Sequence, residues 1–209
     1  MSDPLFIRNV VSVSDDRYRL KVNPDGSINS AVTGSTVGIT NKDDFTNAVH
    51  IIDHAHHEIH EGNHFCYTDS VTLGSSQSQD YLLTVANSTK WPHLLFDIDG
   101  LAVTSFFLYE ATDKTGTTAQ TIYNNDRNSD TIAGMTIHKG TSGGSTDGTL
   151  IYKYSGGAAT GASSRIPSQS RNDNERILKQ ATKYILRITS GTTGNLTNVR
   201  ICWYEHTNL

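Results

Sequence analysis

The sequence predicts an all-β protein, an antiparallel β-sandwich of a jelly-roll-like type, preceded by an N-terminal arm. Three observations predict this fold. Charged residues make up only 18% of the 209 residues, and Thr, Ser, Asn and Gly are abundant, as suits turns and solvated sheet faces. About eight short segments with a β-strand pattern follow residue 62. No helical pattern interrupts them, which favours a sandwich over an α/β fold.

The predicted strands are separated by Gly, Asn, Asp and Ser clusters, which are typical of turns. The segment Leu101–Glu110 is the most apolar, as expected for a central strand that is buried on both faces. Two polar stretches, Lys139–Gly148 and about 155–174, are predicted to be long loops. The predicted strands are Phe65–Ser70, Tyr81–Ala86, His93–Ile98, Leu101–Glu110, Thr131–His138, Thr149–Tyr154, Lys183–Thr189 and Val199–Tyr204.

The pattern divides the chain into three parts: an extended arm over residues 1–42, a helix over 43–62 and the sandwich over 63–209. Within the arm, Asn23–Gly26 has the composition of a turn, with a proline and a glycine in suitable positions. It lies between two short β-like segments, Tyr18–Val22 and Ile28–Val32. We therefore expect one small hairpin in the arm.

The helix is predicted from apolar residues that recur at helical spacing and share one face. Gly62 is suited to end it. Because an arm has little core of its own, we expect this face to be an interface with another subunit or protein. The predicted interface residues are Phe45, Val49, Ile52 and Ile59.

Histidines cluster in the same segment, where six of the nine lie between residues 50 and 64. His50, His54 and His57 share one helical stripe, at a spacing that can suit a divalent metal. The metalloprotease pattern H-E-x-x-H is absent, because His57 stands where it needs a glutamate between His56 and His60. We predict no metal site and no cofactor; His50, His54 and His57 are the candidate ligands if one exists.

None of the catalytic sequence motifs considered is complete in this chain. The G-x-S-x-G motif of hydrolases and the phosphate-binding P-loop are both missing. Asp97 and Asp99 share a strand face, but such pairs are more often solvent-facing than glycosidase carboxylates. The sequence therefore predicts a protein that is not an enzyme.

Some aromatic residues offer possible faces for glycan stacking, although aromatic residues at strand positions more typically lie in a core or an interface. These residues are Tyr109, Tyr123, Tyr152, Tyr154, Trp203 and Tyr204.

Charge and hydropathy exclude two further partners. The net charge of −4 argues against a nucleic-acid partner, which would require a basic surface. No apolar run approaches the ~18 residues of a membrane span, and residues 1–4 do not begin a signal peptide.

Cys66 and Cys202 lie in apolar, aromatic contexts, so we expect two reduced, buried thiols, with a disulfide left open as the alternative.

Several stretches resemble structural proteins of tailed-phage particles. The resemblance spans about residues 55–206 and includes part of the arm. It implies a capsid cement or decoration protein, or another β-sandwich component of the virion, and it implies no active-site residues. The stretches are residues 20–27 (LKVNPDGS), 55–62 (AHHEIHEG), 124–129 (NNDRNS), 147–152 (DGTLIY), 175–179 (ERILK), 184–189 (YILRIT) and 203–206 (WYEH).

The functional expectation is a virion structural protein on the capsid surface, made in the host cytoplasm. Its expected partners are the major capsid protein, or other virion proteins, and copies of itself in a homotrimer, because an arm without a core needs neighbours. A receptor- or glycan-binding appendage of the neck, tail or head is the alternative.

Overall fold

The computed structural model describes residues 54–157 and 175–207, together with two short strands, β1 (Lys21–Val22) and β2 (Ile28–Asn29). These two strands pair antiparallel, with Val22 opposite Ile28. The predicted helix 43–62 is described only from residue 54 onward, as α1 (His54–His60). The rest of that helix and of the predicted arm lies outside the described residues.

Eleven strands follow α1 in the part of the chain that the structure describes. They are β3 (His64–Leu73), β4 (Ser78–Thr84), β5 (Lys90–Gly100), β6 (Thr104–Glu110), β7 (Thr115–Ala119), β8 (Tyr123–Asn124), β9 (Thr136–Ser142), β10 (Thr149–Gly156), β11 (Arg176–Ile177), β12 (Lys183–Ser190) and β13 (Asn195–Thr207).

The strands form two antiparallel sheets packed against each other, which confirms the predicted all-β sandwich. The six-stranded sheet has the order β10-β6-β12-β4-β9-β7, and the five-stranded sheet has the order β11-β5-β13-β3-β8. Strands that follow one another in the chain mostly alternate between the two sheets. The core is therefore made from long-range contacts and not from local hairpins.

Alternating side chains of both sheets form the core. In β12, Tyr184, Leu186 and Ile188 are buried, as their period-two spacing predicts. The partner sheet contributes Ile201 and Trp203 from β13, both with no exposed surface. Trp203 and Phe65, which are opposite each other in the register of β13 and β3, have ring centroids 5.8 Å apart. Such cross-strand pairs fix the register, because a slip of one residue would move them out of the core.

Two predicted strands begin later than expected. The segment Leu101–Glu110 forms a strand only from Thr104, and it lies second from the edge of its sheet. Phe106 and Leu108 are buried while Phe107 is half-buried, so the expectation of burial on both faces was wrong. The predicted strand Thr131–His138 starts at Thr136 and runs to Ser142, into the predicted loop Lys139–Gly148.

The extended part of β9 pairs with β7, a strand that the sequence does not predict. β7 consists only of Thr, Gly and Ala and has no apolar alternation, yet it pairs with β9 from Thr115 opposite Ser142 to Ala119 opposite His138. Backbone hydrogen bonds and a close approach at Gly116 replace side-chain burial here. A Cβ atom at position 116 would lie 2.3 Å from side-chain carbons of His138, so only glycine fits.

The two cysteines form a disulfide, which corrects the expectation of two reduced, buried thiols. Cys66 in β3 lies directly opposite Cys202 in β13, with their Cα atoms 4.1 Å apart. Both side chains are half-buried on the outward face of the five-stranded sheet, and neither belongs to the core. The long-range register of β3 and β13 places them together.

Candidate interaction surfaces

The predicted interface and metal residues lie mostly outside the described part of the chain. This holds for Phe45, Val49, Ile52 and His50, and nothing is described of the His54 side chain. Ile59 is half-buried on α1. His57 is exposed, with Nε2 3.8 Å from a carboxylate oxygen of Glu61. The interface prediction for the helix therefore stays a prediction.

The end of α1 is fixed by its backbone. Gly62 adopts a φ of +70°, and its N–H donates to the carbonyl of Ile59 at 3.0 Å. The N–H of Asn63 donates to the carbonyl of Glu58 at 2.9 Å. These two bonds make a Schellman motif, which glycine favours because its left-handed conformation costs no Cβ contact. The chain then turns directly into β3.

Residues 129–135, between β8 and β9, form what we call the Ile132 loop. Asn124 in β8 anchors it, because its side-chain amide donates to the carbonyls of Gly62 at 2.8 Å and Thr131 at 3.2 Å. Ser129 Oγ accepts the N–H of Thr131 at 3.2 Å. At the centre of this hydrogen-bonded loop, the Ile132 side chain is 89% exposed.

Glu205 in β13 holds the other end of the Ile132 loop. Its buried carboxylate accepts the N–H groups of Gly134 and Met135, each at 2.9 Å, and the indole N–H of Trp203 at 2.8 Å. A Cβ atom at position 134 would lie 2.8 Å from Oε2, so a larger residue here would have to displace this carboxylate oxygen. Because the carboxylate binds the N–H groups of Gly134 and Met135, these groups do not pair with a neighbouring strand, and β9 starts at Thr136.

Two hollows flank Ile132, with volumes of about 290 Å³ and 270 Å³. The first is lined by apolar groups, including Phe65, Ile122, Ala133 and Met135. The second reaches Lys90 at the start of β5. A projecting isoleucine between two hollows is a surface that suits contact with another protein, because large apolar side chains gain free energy when they are buried.

Tyr123 adds a second exposed ring on the short edge strand β8. It is 56% exposed, and the guanidinium of Arg127 lies 5.3 Å from its ring centroid. The other aromatic residues considered for glycan stacking are less available. Trp203 and Tyr204 are buried, and Tyr152 and Tyr154 pack against Phe106 of the core.

A polar groove of about 670 Å³ runs along the outward face of the five-stranded sheet. Asp97 and Asp99 of β5 both line it, as their shared strand face predicts. Asp97 forms an ion pair with Arg200, with Oδ2 2.9 Å from Nε. Across the groove, Ser70 Oγ donates to Asn198 Oδ1 at 2.7 Å. The groove is open, and the described residues that line it offer hydrogen-bonding groups.

Stacked rings extend this outward face towards the other end of β13. His93 and Tyr204 stack with centroids 4.6 Å apart, and His206 lies 4.4 Å from His93. Nδ1 of His93 is 2.7 Å from a carboxylate oxygen of Glu175, which also accepts the Tyr204 hydroxyl. The three rings and the carboxylate thus tie the start of β11 to β5 and β13.

A network of charges crosses the outward face of the six-stranded sheet around Arg187 of β12. Its guanidinium contacts both oxygens of Asp80, at 2.6 and 2.8 Å, and both oxygens of Asp147, at 2.6 and 3.1 Å. The Nζ atom of Lys114 lies 2.5 Å from Oδ1 of Asp147. The hydrogen bonds of Arg187 and Lys114 outweigh partial burial and lower the pKa of Asp147 to about 2.

Asp113 continues this network along the same loops. Its carboxylate accepts the backbone N–H groups of Ser145 and Thr146 and the Ser145 hydroxyl, at 2.8–3.0 Å. These bonds, the Ser145 N–H above all, lower the pKa of Asp113. The predicted loop 139–148 is therefore held at its far end, and Asp147 is brought to Arg187.

A second polar cluster lies between the sheets, at the side closed by β7 and β8. The Tyr81 hydroxyl donates to Asp69 at 2.8 Å, and Lys139 lies 2.5 Å from the same carboxylate. Burial opposes the charged form of Asp69, but Lys139 and Tyr81 outweigh it and lower its pKa. Burial and the Asp69 charge raise the pKa of Tyr67 to about 12. This ion pair and hydrogen bond join β3, which carries Asp69, to β4 and β9.

Among the residues that the structure describes, no three His, Cys, Asp or Glu side chains are arranged to hold a metal ion. Within the same residues, no helix has the length and apolar character needed to cross a membrane. Comparisons with protein-family models, with curated proteins and with solved structures find no match to this chain.

The sequence missed the Ile132 loop as a candidate surface. The predicted strand Thr131–His138 includes Thr131 and Ile132, whereas the strand in the structure begins only at Thr136. The one available signal was the preceding run of Asn, Asp and Ser over residues 124–130, which favours a turn. The anchor, Glu205, lies about seventy residues away, so no local pattern could connect the two.

Proposed function

We propose that this chain is a non-enzymatic structural protein of a tailed-phage particle, most specifically a cement or decoration protein that binds the head lattice on the capsid surface. The observation that carries the proposal is the Ile132 loop. A large apolar side chain is 89% exposed on a loop that Asn124 and Glu205 hold in place. Burying one such side chain contributes about 1.5–3 kcal/mol, and a pre-ordered loop loses little entropy on binding.

Symmetry makes a small contact sufficient. On a capsid, each contact is repeated many times, and linked copies gain effective concentration from one another. The proposed partners are the major capsid protein and two further copies of this chain in a homotrimer, with assembly after synthesis in the host cytoplasm. The resemblance of several sequence stretches between about residues 55 and 206 to tailed-phage structural proteins supports this class.

The test compares two aspartate variants for binding to phage heads that lack this protein. Ile132→Asp should reduce co-sedimentation with heads about 10- to 100-fold, because it places a charge in the buried contact. It should leave the unfolding midpoint of the isolated protein unchanged, since the side chain is exposed. Light scattering on the same samples measures the oligomer, for which we expect a trimer.

Leu101→Asp is the matched control, because Leu101 is also exposed. It follows the C-terminal end of β5, whereas a hollow beside Ile132 reaches Lys90 at the N-terminal end of the same strand. The Leu101→Asp variant should bind heads as the wild type does. Wild-type protein that does not bind heads, or equal binding by all three proteins, would contradict the proposal.

The polar groove favours a second candidate, a glycan-recognising appendage of the particle. Asp99, Asn198 and Ser70 present the hydrogen-bonding groups that sugar hydroxyls require. On this alternative, wild-type protein should bind host-surface glycans on an array, and Asp99→Ala should lose the signal while Asp130→Ala, outside the groove, keeps it. Particles without the protein would then lose adsorption and keep their heat resistance. Absence of glycan binding by the wild type would rule this candidate out.

A further inference from the structure

The strand register alone places Cys66 and Cys202 together. β3 and β13 pair without a break from Leu73 opposite Asn195 to His64 opposite Tyr204, and the cysteines are one rung of this ladder. Neighbouring rungs on the inward face hold Phe65, Tyr67, Ile201 and Trp203 in the core. The sheet therefore brings the two sulfur atoms together whether or not they are bonded.

The disulfide lies outside the hydrophobic core. Neither cysteine belongs to the core cluster, and both are half-buried on the outward face. A domain of about 150 residues can bury a sufficient core without a cross-link. Half-buried thiols on an outward face are accessible to small redox reagents, and their reactivity follows from that access.

We propose that Cys66 and Cys202 are an oxidation-dependent clasp. The domain folds with both thiols reduced, and the bond closes when the protein meets an oxidising medium that contains a low-molecular-weight disulfide. One cysteine thiolate attacks that disulfide and forms a mixed disulfide, releasing one small thiol. The second cysteine then displaces the other small thiol, so that two thiols are oxidised and one disulfide is reduced to two thiols.

Closure joins the first and last strands of the described domain. The bond spans 136 residues of sequence, and long cross-linked loops restrict the unfolded chain most. Disulfides persist outside the reducing cytoplasm. The idea that the bond closes when a particle leaves the host rests on the proposed function. The oxidation-dependent clasp itself does not rest on it.

The experiment uses the full-length purified protein in three forms: reduced, oxidised with glutathione disulfide under native conditions, and the double variant Cys66→Val/Cys202→Val. Valine keeps the β-sheet preference of the pair without a thiol. We expect the same near-ultraviolet circular dichroism for all three. Both thiols should become unreactive to a thiol-labelling reagent on oxidation, and the thermal midpoint of the oxidised form should lie about 5–15 °C above the other two.

A reduced protein and a double variant that are both unfolded would overturn the proposal, because the bond would then be required for folding. Thiols that form the bond only after denaturation would also overturn it, as would equal midpoints for the oxidised and reduced forms. The single variant Cys66→Val, treated with glutathione disulfide, should show the midpoint of the reduced form. None of these outcomes depends on head binding, so the clasp and the cement function fail independently.

Discussion

Replacing Arg187 with methionine should destabilise the domain by about 2–4 kcal/mol. The substitution keeps much of the side-chain volume but leaves Asp80 and Asp147 without the guanidinium that contacts four of their oxygens. Breaking a buried pair typically costs ~3–5 kcal/mol, and partial exposure of Arg187 reduces this. Denaturant unfolding followed by circular dichroism measures the change directly.

Arg200 provides a matched control, because it also pairs with an aspartate on the outward face of a sheet. Its side chain is 63% exposed, against 21% for Arg187. Solvent screens its pair with Asp97, so Arg200→Met should cost at most about 1 kcal/mol. Equal losses for the two arginine variants would contradict the importance assigned to the Arg187 network.

The same network makes stability depend on acid. The pKa of Asp147 is lowered from 3.8 to about 2 in the folded protein. Its contribution is therefore complete above about pH 4 and is lost as the pH falls towards 2. In Arg187→Met the pKa of Asp147 should move back towards its usual value. Because Lys114 still pairs with Asp147 in the variant and solvent screens the site, the difference in unfolding free energy between wild type and variant should shrink by about 1 kcal/mol between pH 5 and pH 2.

The fold class was predictable because alternation is a local property. Tyr184, Leu186 and Ile188 follow one another at period two, and each enters the core. The pairing of strands is not local. β7 has no apolar residue beyond one alanine, and it forms because β9 offers backbone partners at the sheet edge. Pairing of that kind leaves little trace in side-chain composition.

The sequence favours neither the disulfide, which it leaves as an alternative, nor the Ile132 loop, and the physical reason is the same for both. Cys66 and Cys202 each sit in an apolar context that predicts a buried thiol; their bond depends on a register between strands that are 136 residues apart. The predicted interface at Phe45, Val49 and Ile52 lies outside the described residues and stays a prediction. The local signals thus predicted faces and turns, whereas the contacts between distant segments decided which surfaces are presented.

Replacing Glu205 with glutamine should test the anchor of the Ile132 loop. The carboxylate accepts three N–H groups, from Gly134, Met135 and Trp203. A glutamine has one acceptor oxygen and one donor group, so either orientation sets an amide N–H₂ against an N–H donor. A buried donor left without an acceptor costs about 1–3 kcal/mol, and we expect a loss of that size in the free energy of unfolding.

Hydrogen exchange separates loss of the anchor from general destabilisation. In Glu205→Gln the amides of Gly134 and Met135 should exchange faster than the loss of global stability explains, while the amides of β12 should follow the global change. Glu61→Gln is the control, because its side chain is 58% exposed, and it should alter stability by no more than about 0.5 kcal/mol. Unchanged protection at residues 134 and 135 would show that the carboxylate does not hold the loop. If the anchor does hold it, Glu205→Gln should also weaken head binding while leaving the Ile132 side chain intact, because a mobile loop must be ordered again on contact.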